Sequence, residues 1–410
     1  MELSGEQSNV LNEVVSWYNS KTTDIVKVVG YAGTGKTTLM IEISDKIRYN
    51  KDMARRGAHR IAFCAYTGKA SFVLHSKLKG KGSIRAVDYV GTIHGLLYSP
   101  RYTYKNNKKV IIGWEKKDEL EYDLIIVDEG SMVTKDISID LMTYGIPILV
   151  CGDHGQLSPI GDNFNFLENP DFKLNEIHRQ ALGNPIIQLT VDIRRKGFIS
   201  PGFYNGSVFK LDWNNPQTKQ IYDSINWSEN PVDVIQLCGF NKTRVELNKT
   251  IRKKMDFKLE TPYPAERIMC LKNNHSTGIK NGQLGSLVWV YNAGEDLYDL
   301  TMQMDGYGDN LHSSLAIKSS FGKDNYNEEM EIDFKKKYAS ELKYHKQDNV
   351  DMFDFGYATT VHKSQGSEWD RVVLFEQRNK YQNDQEYARW LYTAATRAKE
   401  RLFIIYNYWG

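Results

Sequence analysis

The sequence predicts an α/β fold built as two parallel-sheet units, and three observations carry that prediction. A glycine-rich loop, Gly30-Tyr31-Ala32-Gly33-Thr34-Gly35-Lys36-Thr37, stands between an apolar run (25–29) and a helix-like run (38–43). Strand, loop and helix in that order form the unit from which parallel sheets are wound. Two later apolar runs, 124–127 (LIIV) and 147–151 (PILVC), are each followed at once by polar residues. Such runs read as strands buried on both faces that deliver side chains at their carboxyl ends. Beyond residue 182 the runs 232–237, 371–375 and 401–405 repeat the pattern without a second glycine-rich loop, which predicts a second unit.

Composition fits that size of fold. The chain has 410 residues, enough for two or three domains each with its own core. It is 41% hydrophobic and 25% charged, with a mean hydropathy of −0.52 and no apolar stretch of membrane-spanning length, so a soluble protein with no membrane partner is expected. The opening residues MELSGEQ lack the basic and apolar regions of a signal peptide. Cys64, Cys151, Cys238 and Cys270 lie far apart, and three of them sit in or beside apolar runs. They read as small core residues, which predicts reduced thiols, a cytoplasmic setting and no structural zinc. A net charge of only +2 means that any site for a polyanion must be a local stripe.

The glycine-rich loop has the chemistry of a phosphate cradle. Its glycines let backbone N–H groups turn inward, and the following helix N-terminus adds partial positive charge. Lys36 supplies a point charge for the outer phosphates and Thr37 a hydroxyl for Mg²⁺. A nucleoside triphosphate, ATP with Mg²⁺, is the predicted ligand. Asp128 and Glu129, at the end of the run 124–127, suit metal holding and orientation of an attacking water. Gln156, after the run 147–151, is a candidate sensor of the γ-phosphate.

In chain order, residues 1–23 read as an amphipathic helix through Val10, Leu11, Val14, Val15 and Trp17. Gln7 on that helix is by itself an ordinary polar first-turn residue, although an amide there suits the edge of an adenine ring. Thr67 and Gly68 follow a strand at 60–65, and Thr92 and His94 belong to a similar strand end; both places suit ligand contact in an open sheet. The segment 101–117 (RYTYKNNKKVIIGWEKK) reads as a hairpin about Asn106-Asn107, with six Lys or Arg against one acid, interleaved with Tyr102, Tyr104 and Trp114. That mix fits single-stranded nucleic acid, and equally a solvated hairpin whose aromatics pack on the domain beneath. Arg194-Arg195-Lys196 and Lys335-Lys336-Lys337 read as solvated helix surface. Runs within 265–350 suggest an inserted group of short antiparallel strands, plausibly a small barrel.

Taken together the motifs resemble a superfamily 1 helicase over nearly the whole chain. They are GYAGTGKTT, AYTGKA, TIHGLL, DEGS, GDHGQLSPI, NEIHRQ, GFNKTRVELNKTIR, TTVHKSQGSE and YTAATRA. The VHKSQG and GDxxQLxP forms resemble the 5′→3′ RecD-like branch, superfamily 1B, and the wording is closest to the Dda-type helicases of T-even bacteriophages. The resemblance implies two RecA-like P-loop NTPase lobes, at 1–96 with 118–181 and at 182–264 with 351–410. It implies a pin hairpin at 97–117 in the first lobe and an SH3-like β-rich insertion at 265–350 in the second.

It also implies roles. Gln7 would contact adenine; Gly30, Gly33, Thr34, Gly35, Lys36, Thr37 and Thr38 would hold the nucleotide, and Glu368 the ribose. Thr37 and Asp128 would hold Mg²⁺, Glu129 the water, and Arg179 and Arg397 would be arginine fingers. Thr67, Thr92, His94, Asn241, Thr360 and His362 would line the path of single-stranded DNA, with Trp114 in the pin. A monomeric, ATP-dependent helicase acting on fork DNA in phage replication or recombination follows, and a single-strand-binding or replication protein is an expected partner that no segment marks. The alternatives are a translocase that strips bound proteins without unwinding, and an RNA-directed enzyme. Gly130 departs from the family pattern, where a small side chain is usual, and is expected to be harmless.

Overall fold

The apolar runs of the first half become strands whose side chains alternate between two cores, as a sheet covered on both faces requires. The computed structural model describes residues 3–20, 22–54, 58–105, 108–158, 164–177, 183–227, 232–258, 261–272, 279, 281–305, 310–323 and 350–408, with the backbone alone at 52–54, 102–105 and 108–112. Contacts divide the chain into two units, Met1–Arg194 and Arg195–Gly410.

The first unit begins with α1 (Gly5–Ser20), β1 (Ile25–Gly30), α2 (Lys36–Ala54), β2 (Ile61–Ala65), α3 (Gly68–Lys81), β3 (Tyr89–Thr92) and α4 (Ile93–Leu97). A hairpin follows, β4 (Tyr98–Lys105) and β5 (Lys108–Lys116), then β6 (Leu124–Asp128), α5 (Lys135–Met142), β7 (Ile148–Gly152), β8 (Phe172–Leu174) and α6 (Pro185–Lys196). The sheet runs β3-β2-β6-β7-β1-β8 with every pairing parallel. Ile61, Phe63, Ile126 and Leu149 face a core shared with Val14 of α1, Met40 and Ile43 of α2 and Leu74 of α3. Their neighbours Ala62, Cys64, Val127 and Val150 face the other core, with Ile93 and Leu96 of α4 and Leu141 of α5. Helices therefore cover both faces, and the carboxyl edge of the sheet is left for loops.

The hairpin lies where the sequence places it, with residues 106–107 of its turn outside the described residues. Its root is fastened to α4 and α5. Lys116 Nζ donates to Asp140 Oδ1 and to Thr143 Oγ1, each at 2.7 Å. The Tyr98 hydroxyl donates to the other Asp140 oxygen, and Lys117 Nζ donates to the carbonyls of Gly95 and Leu96.

The second unit holds β9 (Gly202–Tyr204), β10 (Val208–Asp212), α7 (Pro216–Asp223), β11 (Val234–Cys238) and α8 (Asn241–Lys254). An inserted group follows, β12 (Arg267–Cys270), β13 (Leu284–Asn292), β14 (Leu297–Met304), β15 (Leu311–Ile317), β16 (Val350–Asp351) and β17 (Phe353–Phe355). The chain then returns through β18 (Ala358–Thr360), β19 (Trp369–Phe375), α9 (Asp384–Ala395) and β20 (Ala398–Tyr406). One sheet runs β18-β11-β19-β20-β10-β9, parallel except at its β9 edge. The inserted strands form a second sheet, β16-β15-β14-β13-β12-β17, antiparallel except for β15 with β16.

One apolar cluster runs through both sheets, joining Val234, Val373 and Phe403 to Ile268, Leu300, Met302 and Phe355. Buried ion pairs add to it: Arg252 Nε reaches Glu266 Oε1 at 2.7 Å with both side chains fully buried, and Arg244 pairs with Asp354.

Two expectations change. The boundary placed at 181/182 falls at 194/195, because α6 belongs to the first unit up to Arg194, whose guanidinium lies on Tyr31. The lysine run 335–337 lies outside the described residues. Among the described residues no helix is long and apolar enough to cross a membrane.

Candidate active site and nucleic-acid interface

Strand order decides which predicted residues meet. The loop after β1, Asp128 at the end of β6 and Gln156 after β7 all leave the carboxyl edge of three adjacent strands. Thr67 after β2 and Thr92 at the end of β3 leave the same edge on its other side. The sequence residues assigned to a nucleotide and those assigned to a strand of nucleic acid are thus sorted along one sheet edge.

Gly30 ends β1, and Gly33 and Gly35 take φ values of 83° and 73°, left-handed conformations that a side chain would oppose. The Thr34 hydroxyl donates to the Tyr31 carbonyl at 2.8 Å, and Lys36 Nζ donates to the same oxygen at 2.9 Å. Lys36, Thr37 and Thr38 open α2 and are half-buried. Gln7 is only 2% exposed and is committed locally: Nε2 donates to the Thr34 carbonyl at 3.1 Å, and Oε1 accepts from Ser4 N in a capping-box arrangement. Its neighbour Glu6 accepts from the backbone N–H of Asn175 and Glu176, just before the segment that carries Arg179. Sequence reading missed Glu6. Arg179 itself lies outside the described residues.

Asp128 Oδ1 accepts from Glu129 N at 3.0 Å, and Glu129 adopts φ 54°, ψ 43°, a conformation a non-glycine residue seldom takes. The next residue, Gly130, lies where a Cβ would stand 2.5 Å from Val150 Cγ1. The departure at this position is therefore built into the packing. Burial pushes the Cys151 thiol upward; Asp128 adds to the shift and Lys36 opposes it, so both charges lie within electrostatic reach of the end of β7. Gln156 is 6% exposed, and among the described residues its Oε1 is buried with no partner, as is Ser131 Oγ. Buried polar atoms left unpaired are costly, and at this edge they fit a polar ligand. Thr37 and Asp128 offer hydroxyl and carboxylate oxygens, the donor type Mg²⁺ takes while keeping several waters. Among the described residues no three His, Cys, Asp or Glu gather as a metal cluster, and all four cysteines are free and buried.

Thr67 and Thr92 cap helices: their hydroxyl oxygens accept from Ala70 N and Gly95 N, both at 3.1 Å. A hydroxyl so used keeps its own O–H to donate to a phosphate. His94 is exposed, with Tyr98 and Trp114 each 4.6 Å away between ring centres. Trp114 pairs with Pro100 at the root of the hairpin, far from the Lys105–Lys108 end, so it is no tip residue. Its ring packs on His94 instead.

In the second unit the predicted residues divide between two edges. β11 and β18 are parallel neighbours, so Asn241, which opens α8, and Thr360 with His362 emerge together at the carboxyl edge. Asn241 is exposed, Thr360 Oγ1 accepts from Lys363 N at 3.4 Å, and burial holds the His362 imidazole below its usual pKa and neutral. Glu368 and Arg397 lie at the amino ends of β19 and β20, where Trp369 pairs with Ala398. Glu368 is exposed. Arg397 is 3% exposed and donates to the carbonyls of Thr393 and Ser367 and to Thr396 Oγ1, at 3.0, 3.1 and 2.9 Å.

One reading is corrected outright. Arg194 is no solvated helix end, for its Cζ lies 3.4 Å from the centre of the Tyr31 ring in the phosphate loop; Arg195 and Lys196 are exposed as expected.

Comparison with known proteins finds similarity in both halves of the chain. Residues 2–200 match the AAA domain family, and 355–405 match the UvrD-like helicase C-terminal domain. The ATP-dependent RecD2 DNA helicase of Deinococcus radiodurans is 26% identical over 426 residues, covering 98% of this chain and 48% of that protein. The chain is thus similar in sequence to RecD-type and Pif1-type DNA helicases. The ATP-dependent DNA helicase Pif1 of a Psychrobacter species is 27% identical over 315 residues, 65% of this chain and 45% of its own length. The chain thus spans about half the length of these curated relatives. In fold it is similar to Bacteroides Pif1 in complex with ADP-AlF3 and ssDNA, with a TM-score of 0.55 at 18% identity, covering 100% of this chain and 93% of that one. A Pif1 structure describing unwinding at forked dsDNA gives 0.56 at 17% identity, covering 98% and 92%. The α/β architecture with its P-loop is similar to that of these Pif1 structures.

Proposed function

We propose that the chain is an ATP-driven motor that moves 5′→3′ on single-stranded DNA and separates duplex ahead of it. One observation carries the reading: a phosphate loop, two carboxylates and a buried, unpartnered Gln156 Oε1 leave one sheet edge beside the threonines assigned to nucleic acid. The solved relatives' own ligands, ssDNA in one and forked duplex in another, support single-stranded and fork DNA as substrates.

The backbone N–H groups of the loop receive the phosphates, and Lys36 leaves the Tyr31 carbonyl to reach them. Thr37 and Asp128 are the oxygen donors for Mg²⁺, which when bound neutralises charge on the transferring phosphoryl group. Glu129 orients the attacking water and accepts its proton. Arg179 is assigned to the developing phosphoryl charge. Contacts to the strand are to phosphates and bases, so binding is salt-sensitive and tolerant of sequence.

The deciding experiment is ATP-dependent displacement from short duplexes bearing a 5′ or a 3′ single-stranded tail, with Lys36→Ala as control and matched RNA substrates. Displacement from the 5′ tail alone supports the proposal, and displacement from the 3′ tail alone refutes the polarity. A second reading is favoured by the place of Trp114 at the hairpin root: a translocase that strips bound proteins without a wedge. DNA-stimulated ATPase with intact duplexes on both tails would leave that reading standing and refute the helicase one.

A further inference from the structure

The second residue of the phosphate loop is held from two directions by residues that the reading above leaves without a role. The Tyr31 hydroxyl lies 2.8 Å from His154 Nε2, with the two rings 4.4 Å apart between centres. The Arg194 guanidinium lies on the same ring at 3.4 Å, steadied by its own Nε, which donates to the Thr190 carbonyl at 3.3 Å. Among the described residues Arg194 pairs with no carboxylate, so its charge is left beside the loop. The Tyr31 carbonyl, meanwhile, accepts from Lys36 Nζ, Thr34 Oγ1 and Thr34 N. Tyr31 thus joins two sets of contacts: its ring carries those of Arg194 and His154, and its carbonyl those of Lys36 and Thr34.

The surroundings are cationic. Burial lowers the His154 pKa, Asp153 opposes the shift, and Lys173, Arg194 and Lys36 reinforce it. His154 is therefore a neutral partner for the tyrosine, and among the described residues its buried Nδ1 has no partner. A planar guanidinium stacks on an aromatic face in a way an ammonium does not.

We propose that Arg194 is a positioning residue of the nucleotide site: stacked on Tyr31, with His154 on the hydroxyl, it holds the phosphate loop in the shape that receives a nucleoside triphosphate. The proposal rests on the nucleotide-site reading above. Loss of the clamp frees the loop and lowers nucleotide affinity, while the groups that act on the γ-phosphate stay in place.

The test is titration of a fluorescent ATP analogue with Mg²⁺ in the absence of DNA, alongside steady-state ATPase assays. Wild-type protein that fails to bind the analogue would overturn the nucleotide-site reading itself. Given wild-type binding, Arg194→Ala should raise both Kd and KM about tenfold, with kcat falling less than threefold. Tyr31→Ala should do the same, and the double variant should be no worse than either single one, because the residues act as one unit. Arg194→Lys keeps the charge and loses the stack, so it should not restore Kd. Unchanged Kd in a folded Arg194→Ala, additive effects in the double variant, or full rescue by lysine would each overturn the proposal. Thermal melting identifies a variant that merely fails to fold, and Tyr31→Phe, which keeps the ring under Arg194, then serves as the milder probe, with an expected two- to threefold rise in Kd and none if the clamp is absent.

Discussion

The two units use the same kind of parallel sheet but hold their functional residues differently. In the first, every described site residue outside α1 and the hairpin lies at the carboxyl edge, at the end of a strand or in the loop or first helical turn that follows it. In the second, Asn241, Thr360 and His362 leave one edge, whereas Glu368 and Arg397 sit at the other. The means of support differ as well. The first unit packs aliphatic helices on both sheet faces, and its buried pair Arg48–Asp88 ties to the start of β2, away from the loops. The second runs one core through two sheets and ties α8 to the inserted strands with Arg252–Glu266 and Arg244–Asp354. A site coded by strand-loop-helix units is local. A site that depends on ion pairs between distant segments is not.

The largest expected effect is local. Lys36→Ala should lower ATP turnover by at least about 100-fold, since removing a preorganised group at a developing charge costs that much. Filter binding should show single-stranded DNA still retained, because Thr67, Thr92, Asn241 and Thr360 are untouched.

Next comes the support of the second unit. Arg252→Ala leaves Glu266 buried without its counter-charge, at a cost of about 3–5 kcal/mol. Hydrogen exchange should show protection lost across α8 and β12–β14 while β1–β7 keep theirs. Loss spread equally over both units would erase the contrast.

A smaller effect is expected at the tight turn of the first unit. Gly130→Ala places a methyl 2.5 Å from Val150 Cγ1 and should destabilise by about 1–3 kcal/mol, read as a lower melting temperature. A neutral outcome would show that Val150 yields.

The smallest effect is common to both units. Burial lowers the pKa of His154 and of His362 below the unfolded value of 6.5. As pH falls below 6.5 the unfolded chain takes up protons before the folded one, so stability should fall through that window. His154→Gln and His362→Gln should each flatten the acid limb of the melting temperature against pH.

Much of this was legible beforehand, for a physical reason. The phosphate loop, the acids after β6 and Gln156 after β7 are encoded within a few residues of the strands that place them, and their apolar alternation follows from burial on both faces. The hairpin was legible in the same way, by its two β-rich runs about Asn106-Asn107. What was not legible has the opposite property. Composition left Trp114 open between nucleic-acid contact and packing on the domain, and register puts it opposite Pro100 at the root. Arg194 looked like solvated helix surface, but its side chain reaches a loop far earlier in the chain.

The sequence by itself determined the strands, the loops that follow them and the chemistry those loops carry, because each depends on neighbours along the chain. Only the tertiary structure decided strand order, and with it which loops share an edge. Likewise, only it decided that Gly130 has no room for a methyl, that Gln7 is spent on the Thr34 carbonyl, and that Arg194 lies on Tyr31. Those facts arise from contacts between segments distant along the chain, which no local pattern of residues can specify.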